Sequence, residues 1–260
     1  MATRHLLAAV FFVAIACGCA QVPEDGDTIF QVSTINALLE GVYDGDISLG
    51  GLKRHGDFGV GAADELDGEL VELGGEIYQL KVDGLAYPAE DSLKTPFAVV
   101  TFFEPDNTVL SDRSMGYNQL KEYLDGLLPT ENIPYAVKME GTFNYVKTRG
   151  FPRQKKPYPR LVEVVKKESK FEFHDVNGTM VGFWFPAYME GINVPHYHFH
   201  FITEDRKKGG HVLDCEPRNV RIGIDNSPAL YMVLNEHGEF YSADLTETEE
   251  KKAELEEFME

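Results

Sequence analysis

The chain has 260 residues, 43% of them hydrophobic and 12% aromatic. That is enough for one large domain or two modest ones sharing a core, and it excludes a disordered chain. Forty-three acidic against 24 basic residues leave a formal charge of −19, which argues against nucleic acid or an anionic membrane face as a partner, because both would be repelled. A small anionic substrate stays open, since one buried arginine or a metal ion can set the local field.

In chain order, Arg4 and His5 precede an apolar run from Leu6 to Ala16, followed by small residues and cysteines up to Ala20. The run is too short to span a bilayer and fits an export signal over residues 1–20. Two readings of its end stand side by side: ordinary cleavage near Ala20, or lipidation at Cys17 or Cys19 as in a bacterial lipoprotein. The expected location is therefore exported, either secreted or lipid-anchored. Cys215 is the only cysteine outside this segment, so no intrachain disulfide is expected, and it reads as a packed residue rather than a nucleophile.

Residues 21–27 form a polar linker to a folded part spanning 27–260, with a subdomain boundary placed near residue 130. Ser33 to Leu39 opens on a Ser/Thr cap and predicts a short helix. Alternating runs on either side of Gly74 and Gly75 predict a hairpin. Phe97 to Phe103 reads as a buried strand, and Ser114 to Leu128 carries apolar residues at helical spacing. Tyr135 to Lys147 reads as a long strand bent at Gly141. Asn177-Gly178 predicts a second tight turn, and its sequon with Thr179 is explained by that turn. Thr246 to Glu249 reads as a capping box opening an acidic terminal helix. The sum is an α+β fold, rich in β-structure, with two packed β-sheet subdomains and few helices.

The chemistry concentrates between His196 and His211, which holds four of the eight histidines. Strict alternation there predicts a strand with His196, His198 and His200 on one face and Tyr197, Phe199 and Phe201 on the other. Two imidazoles at i and i+2, met by His211 returning across a Gly-Gly turn, can converge on one divalent metal. Three protein ligands leave a coordination position open, as catalytic zinc requires. His196 shares the face, follows Pro195 at the strand entrance, and reads as a neighbouring or surface residue. A rival set, His198, His200 and Glu204, approximates the first motif of cupins and would favour iron and oxygen chemistry. On sequence alone Arg149, Glu69 and the basic run Arg153 to Lys156 are solvated charges.

Many ordered stretches nonetheless match one family. They include Phe30 to Leu38, Leu66-Asp-Gly-Glu69, Lys94 to Ala98, Tyr135 to Lys138, Gly141 to Phe143 and Lys156-Pro-Tyr-Pro159. Further on come Gly182-Phe183, Asn193-Val-Pro195, His200 to Asp205 and Gly209 to Leu213. On these the chain resembles the α-acetolactate decarboxylases over nearly all of its length after the signal. The resemblance implies zinc on His198, His200 and His211, with Glu69 and Arg149 in the active site. It also implies a glutamate from the C-terminal tail, Glu257 with Glu254 as the alternative. It implies a carboxy-lyase that converts 2-acetolactate, a 2-hydroxy-3-oxo acid, to acetoin and CO2, with zinc as the electron sink for an enediolate, and a homodimer. Two other readings remain open: a cupin-like metal oxygenase, and an exported metal-binding protein without catalysis.

Overall fold

The computed structural model describes residues 27–236 and 238–259, so the segment expected to be an export signal, with Cys17 and Cys19, lies outside the described residues. Two large sheets, one two-stranded ribbon and a few short helices make up the fold, as the α+β reading expected. The first half supplies β1 (Thr28–Val32), α1 (Ile35–Leu39), β2 (Ile47–Ser48), α2 (Leu49–Leu52), β3 (Phe58–Ala62), β4 (Glu69–Leu73), β5 (Glu76–Leu80), β6 (Ala86–Pro88), β7 (Lys94–Thr95) and β8 (Phe97–Thr101). Then follow β9 (Asn107–Ser111), α3 (Tyr117–Asp125), β10 (Tyr135–Gly150), α4 (Leu161–Val165), β11 (Ser169–Phe185), β12 (His196–Thr203), β13 (Gly209–Asn226), β14 (Ala229–Val233) and α5 (Glu249–Met259).

One sheet has seven strands in the order β14-β1-β8-β3-β4-β5-β6. The other runs β10-β11-β12-β13-β9, and β10 also pairs with β13, which closes four long strands into a barrel. Closure removes the exposed strand edges that such long ribbons would otherwise leave. The sheets exchange strands: β9 joins the barrel ahead of residue 130, and β14 returns to the first sheet. Among the described residues no helix is long and apolar enough to cross a membrane.

Period-two side-chain direction sorts the barrel strands into two cores. Val137, Met139, Met180, Trp184, Phe199 and Phe201 fill the barrel interior. Val181, Phe183, Phe185 and Ile202, on the opposite face, pack against Phe58, Val60, Val71 and Val99 of the seven-stranded sheet. Histidines 198 and 200 share the parity of Ile202, so they point into the layer between the two sheets.

One local expectation holds and three change. The hairpin at Gly74 and Gly75 is present, with both residues at positive φ, 65° and 78°. Asn177-Gly178, however, is not a turn: β11 runs straight through it, pairing Gly178 with Gly141 and Thr203. The glycine is needed there for closeness, since a Cβ would sit 2.4 Å from the Phe201 ring. Gly209 and Gly210 likewise lie inside β13 rather than in the turn, where a Cβ on Gly210 would meet the Arg149 carbonyl at 2.6 Å. The chain reverses earlier, between Thr203 and Lys208, which bond backbone to backbone. The terminal helix starts at Glu249, and its first turn is capped by the Thr248 hydroxyl accepting from the Lys251 N–H.

Candidate metal centre

β12 delivers His198 and His200, and β13 delivers His211 directly opposite His200 in register. Gly209 lets those two backbones approach, since a Cβ there would sit 2.2 Å from the Phe201 carbonyl oxygen, and Gly210 does the same against Arg149 of β10. His198 Nε2 lies 3.2 Å from His200 Nε2 and 3.1 Å from His211 Nδ1. Nitrogens bound 2.0–2.1 Å from a tetrahedral zinc ion would be separated by about 3.3 Å, so these two spacings suit such an ion, and all three ligand atoms lie within 4.8 Å of one another. His200 Nδ1–H donates to the Leu70 carbonyl at 2.7 Å, which fixes the tautomer and leaves the Nε2 lone pair facing the other two rings. Among the described residues these three histidines are the one group of His, Cys, Asp or Glu whose ligand atoms cluster in this way.

The surroundings hold the imidazoles in the neutral form that metal ligation requires. Burial, then the neighbouring His200 and Arg149, hold His198 far below the ordinary imidazole value. His200 is pushed down to about 4 by burial, against the Leu70 hydrogen bond. His211 is also held well below the usual value, by burial and then by Arg149 and the other imidazoles. All three rings are therefore neutral at pH 7, with lone pairs free to bind a metal.

Glu69 enters from β4, where Leu70 also supplies the carbonyl on His200. Its Oε2 lies 3.8 Å from His200 Nε2, and its Oε1 is buried without a protein partner. Burial raises its carboxyl to about 7, with Arg149 pulling the other way. Arg149 comes from the end of β10, in register with His211. It is 1% exposed, and burial lowers its guanidinium to about 10 against the pull of Glu69 and Glu168. Its Nε and Nη2, like His211 Nε2, have no protein partner. Uncompensated buried polar atoms are rare in folded proteins, and four of them around one cluster mark a place for a polar ligand.

Not every expected residue joins the group. Glu257 lies on the exposed face of α5, and Glu254 pairs with Arg160 at 2.8 Å. The residue that α5 turns inward is Phe258, whose ring centre is 5.3 Å from that of His211 and 4.1 Å from Arg149 Cζ. Leu255 and Phe258 at i and i+3 were the visible sign of that buried helix face. Lys251 docks the helix through the backbone carbonyl of Thr246 at 2.9 Å and Glu40 at 3.3 Å. Glu204 is exposed and accepts from Asn177 Nδ2, so the cupin ligand set is not assembled. His196 is exposed at the strand entrance, with φ at 61°. Cys215 is buried, and burial pushes its thiol up. The basic run is solvated: Arg153 pairs with Glu65, and Lys156 with Asp44 and Glu239.

Fold and site together define a two-sheet protein with a buried three-histidine centre able to hold a metal ion, flanked by one carboxyl and one guanidinium. The sequence profile described as alpha-acetolactate decarboxylase matches residues 29–247. A protein named alpha-acetolactate decarboxylase from Methanosarcina mazei is 51% identical over 84% of this chain and 76% of its own length. One of the same name from Bacillus subtilis is 42% identical over 84% and 85%. The crystal structure of the Bacillus subtilis strain 168 enzyme superposes with a TM-score of 0.86 at 40% identity, covering 88% of this chain and 97% of that one. The chain belongs to the alpha-acetolactate decarboxylase family, a family of carboxy-lyases.

Proposed function

We propose that this protein decarboxylates 2-acetolactate to acetoin and CO2 with zinc on His198, His200 and His211. The observation that carries the proposal is the convergence of three neutral, buried imidazole nitrogens beside an arginine whose side-on edge is free. In the substrate, the carbon bearing the hydroxyl also bears the carboxylate and adjoins a ketone. When the C–CO2 bond breaks, its electron pair stays on that carbon and is delocalised toward the ketone oxygen. His198, His200 and His211 would hold the zinc ion, which would supply the Lewis-acid chemistry that stabilises this charge.

The chain's own groups do the rest. The Nε–H and Nη2–H of Arg149 form a planar fork that matches a carboxylate in two parallel hydrogen bonds, and so orients the bond to be broken. Glu69, which reaches the centre with one carboxylate oxygen free of any protein partner, orients the substrate hydroxyl and relays the proton that replaces CO2. Presenting that proton from one side yields a chiral product. Burial of the centre under Phe258 keeps bulk water from competing for these groups. No step is assigned to Glu257. We further propose an exported homodimer, free or lipid-anchored, on the family resemblance and the reading of residues 1–20 as a signal.

The test is acetoin formation from acetolactate with and without chelator, under air and under argon. Loss with chelator, restoration by zinc and indifference to oxygen are expected. Activity in a metal-free preparation defeats the zinc assignment, and dependence on oxygen favours the oxygenase reading.

A further inference from the structure

Arg149 has a neighbour that the reaction described above does not use. Its Nη1 lies 3.4 Å from Glu168 Oε2, while Nε and Nη2 are buried and unpartnered. Nε and Nη2 share one edge of the planar guanidinium, and Nη1 projects from its far end. Glu168 thus grips the end of the group and leaves the carboxylate-binding edge open.

Glu168 is itself held. Its side chain is 10% exposed, its other carboxylate oxygen lies 2.8 Å from Lys170 Nζ, and its backbone N–H donates to the Val165 carbonyl at the end of α4. Lys170, the second residue of β11, pairs with Arg149 on β10, and Glu168 lies just before β11 begins, so the three charges are neighbours. Phe258 and Phe151, with ring centres 4.1 and 5.1 Å from Arg149 Cζ, restrict the guanidinium further. Rotation about the last side-chain bonds is the freedom that remains, and an ion pair at Nη1 opposes it.

We propose that Glu168 is a positioning residue for the substrate carboxylate, holding Arg149 so that its Nε/Nη2 edge faces the three-histidine centre, with Lys170 steadying Glu168. This rests on the reading that Arg149 receives that carboxylate. The charge of Glu168 also offsets the loss of solvation that pulls Arg149 down, so the grip supports the cation as well as its orientation.

The zinc-loaded enzyme tests it through KM for acetolactate, kcat, and inhibition by acetoin, which has the hydroxyketone but no carboxylate. Glu168→Ala is expected to raise KM about tenfold, the scale of one charge-assisted hydrogen bond. Inhibition by acetoin should stay unchanged, and Glu168→Gln, which keeps an acceptor oxygen, should show a smaller rise. In an Arg149→Lys background, where the fork is gone, Glu168→Ala should add nothing further. Unchanged KM in Glu168→Ala, equal weakening of acetoin, or full additivity with Arg149→Lys overturns the positioning role. If Arg149→Lys itself leaves KM unchanged, the assignment of the carboxylate to Arg149 is what fails, and the role of Glu168 falls with it. Should Glu168→Ala not fold, Glu168→Gln carries the same comparison.

Discussion

The two faces of β12 carry opposite assignments. Tyr197, Phe199 and Phe201 point into the barrel and join an all-apolar packing cluster, whereas His198 and His200 point at the other sheet and meet Glu69, Arg149 and His211. β4 repeats the division. Glu69 faces the histidines, while Glu72 faces the outer cluster beneath α2, where both of its carboxylate oxygens are buried without a partner. One strand can thus hold stability on one side and chemistry on the other, because a two-residue period keeps the sides independent.

The strongest way to break this division is His198→Ala. Zinc binding and CO2 release should disappear together, with activity down more than ~100-fold, beyond the range reached by changes just outside a metal's ligand shell. Circular dichroism should still show the native fold. An active variant without metal would end the assignment of the polar face to catalysis.

On the other side of the same strand, Phe199→Ala should cost about 3–5 kcal/mol in chemical denaturation, the scale for truncating a fully buried phenylalanine. The folded fraction should keep one zinc per chain and near-normal turnover. A variant as stable as wild type but depleted of zinc would show that the faces are coupled.

The β4 pair gives the finest contrast. Glu69→Gln should keep zinc and lower turnover by ~10²–10⁴-fold, since the amide cannot relay a proton. Glu72→Gln should leave turnover alone and change only how stability depends on pH. Burial lifts Glu72 to about 8, with Asp57 adding to the rise and Lys53 opposing it. The folded chain therefore holds this proton more tightly than the unfolded one. That stabilisation is complete below the unfolded carboxylate value and is lost as pH rises through about 8. Melting curves between pH 5 and 9 should show Glu72→Gln gaining on wild type as pH rises, by on the order of 1 kcal/mol or more. Parallel curves would place Glu72 in contact with solvent or a counter-charge.

Glycine pairs show where reading the chain succeeds and where it stops. Gly74-Gly75 is a turn, and a Cβ on either residue would meet nothing within 4 Å. Asn177-Gly178 and Gly209-Gly210 look alike in one dimension, yet each sits inside a strand at a place where another backbone or ring comes too close for a side chain. Permission to turn and permission to touch use the same residue, and only the partner strand tells them apart. Tail residues pose the same difficulty. The resemblance implied Glu257 or Glu254, while docking through Lys251 and Arg160 sets the helix rotation that brings Phe258 over the centre.

What the sequence determined by itself is whatever depends on local period and residue chemistry. This covers the β-rich composition, the alternation that puts His198 and His200 on one face of β12, and the ordered residues that match the family. The tertiary structure alone decided which distant groups meet that face. Barrel closure brings Arg149 into register with His211, and packing of the seven-stranded sheet presents Glu69 and the Leu70 carbonyl. Burial then neutralises the imidazoles and leaves Glu168 to hold the arginine. Those contacts join residues up to 131 positions apart in the chain, as His200 and Glu69 are, and no local pattern records them.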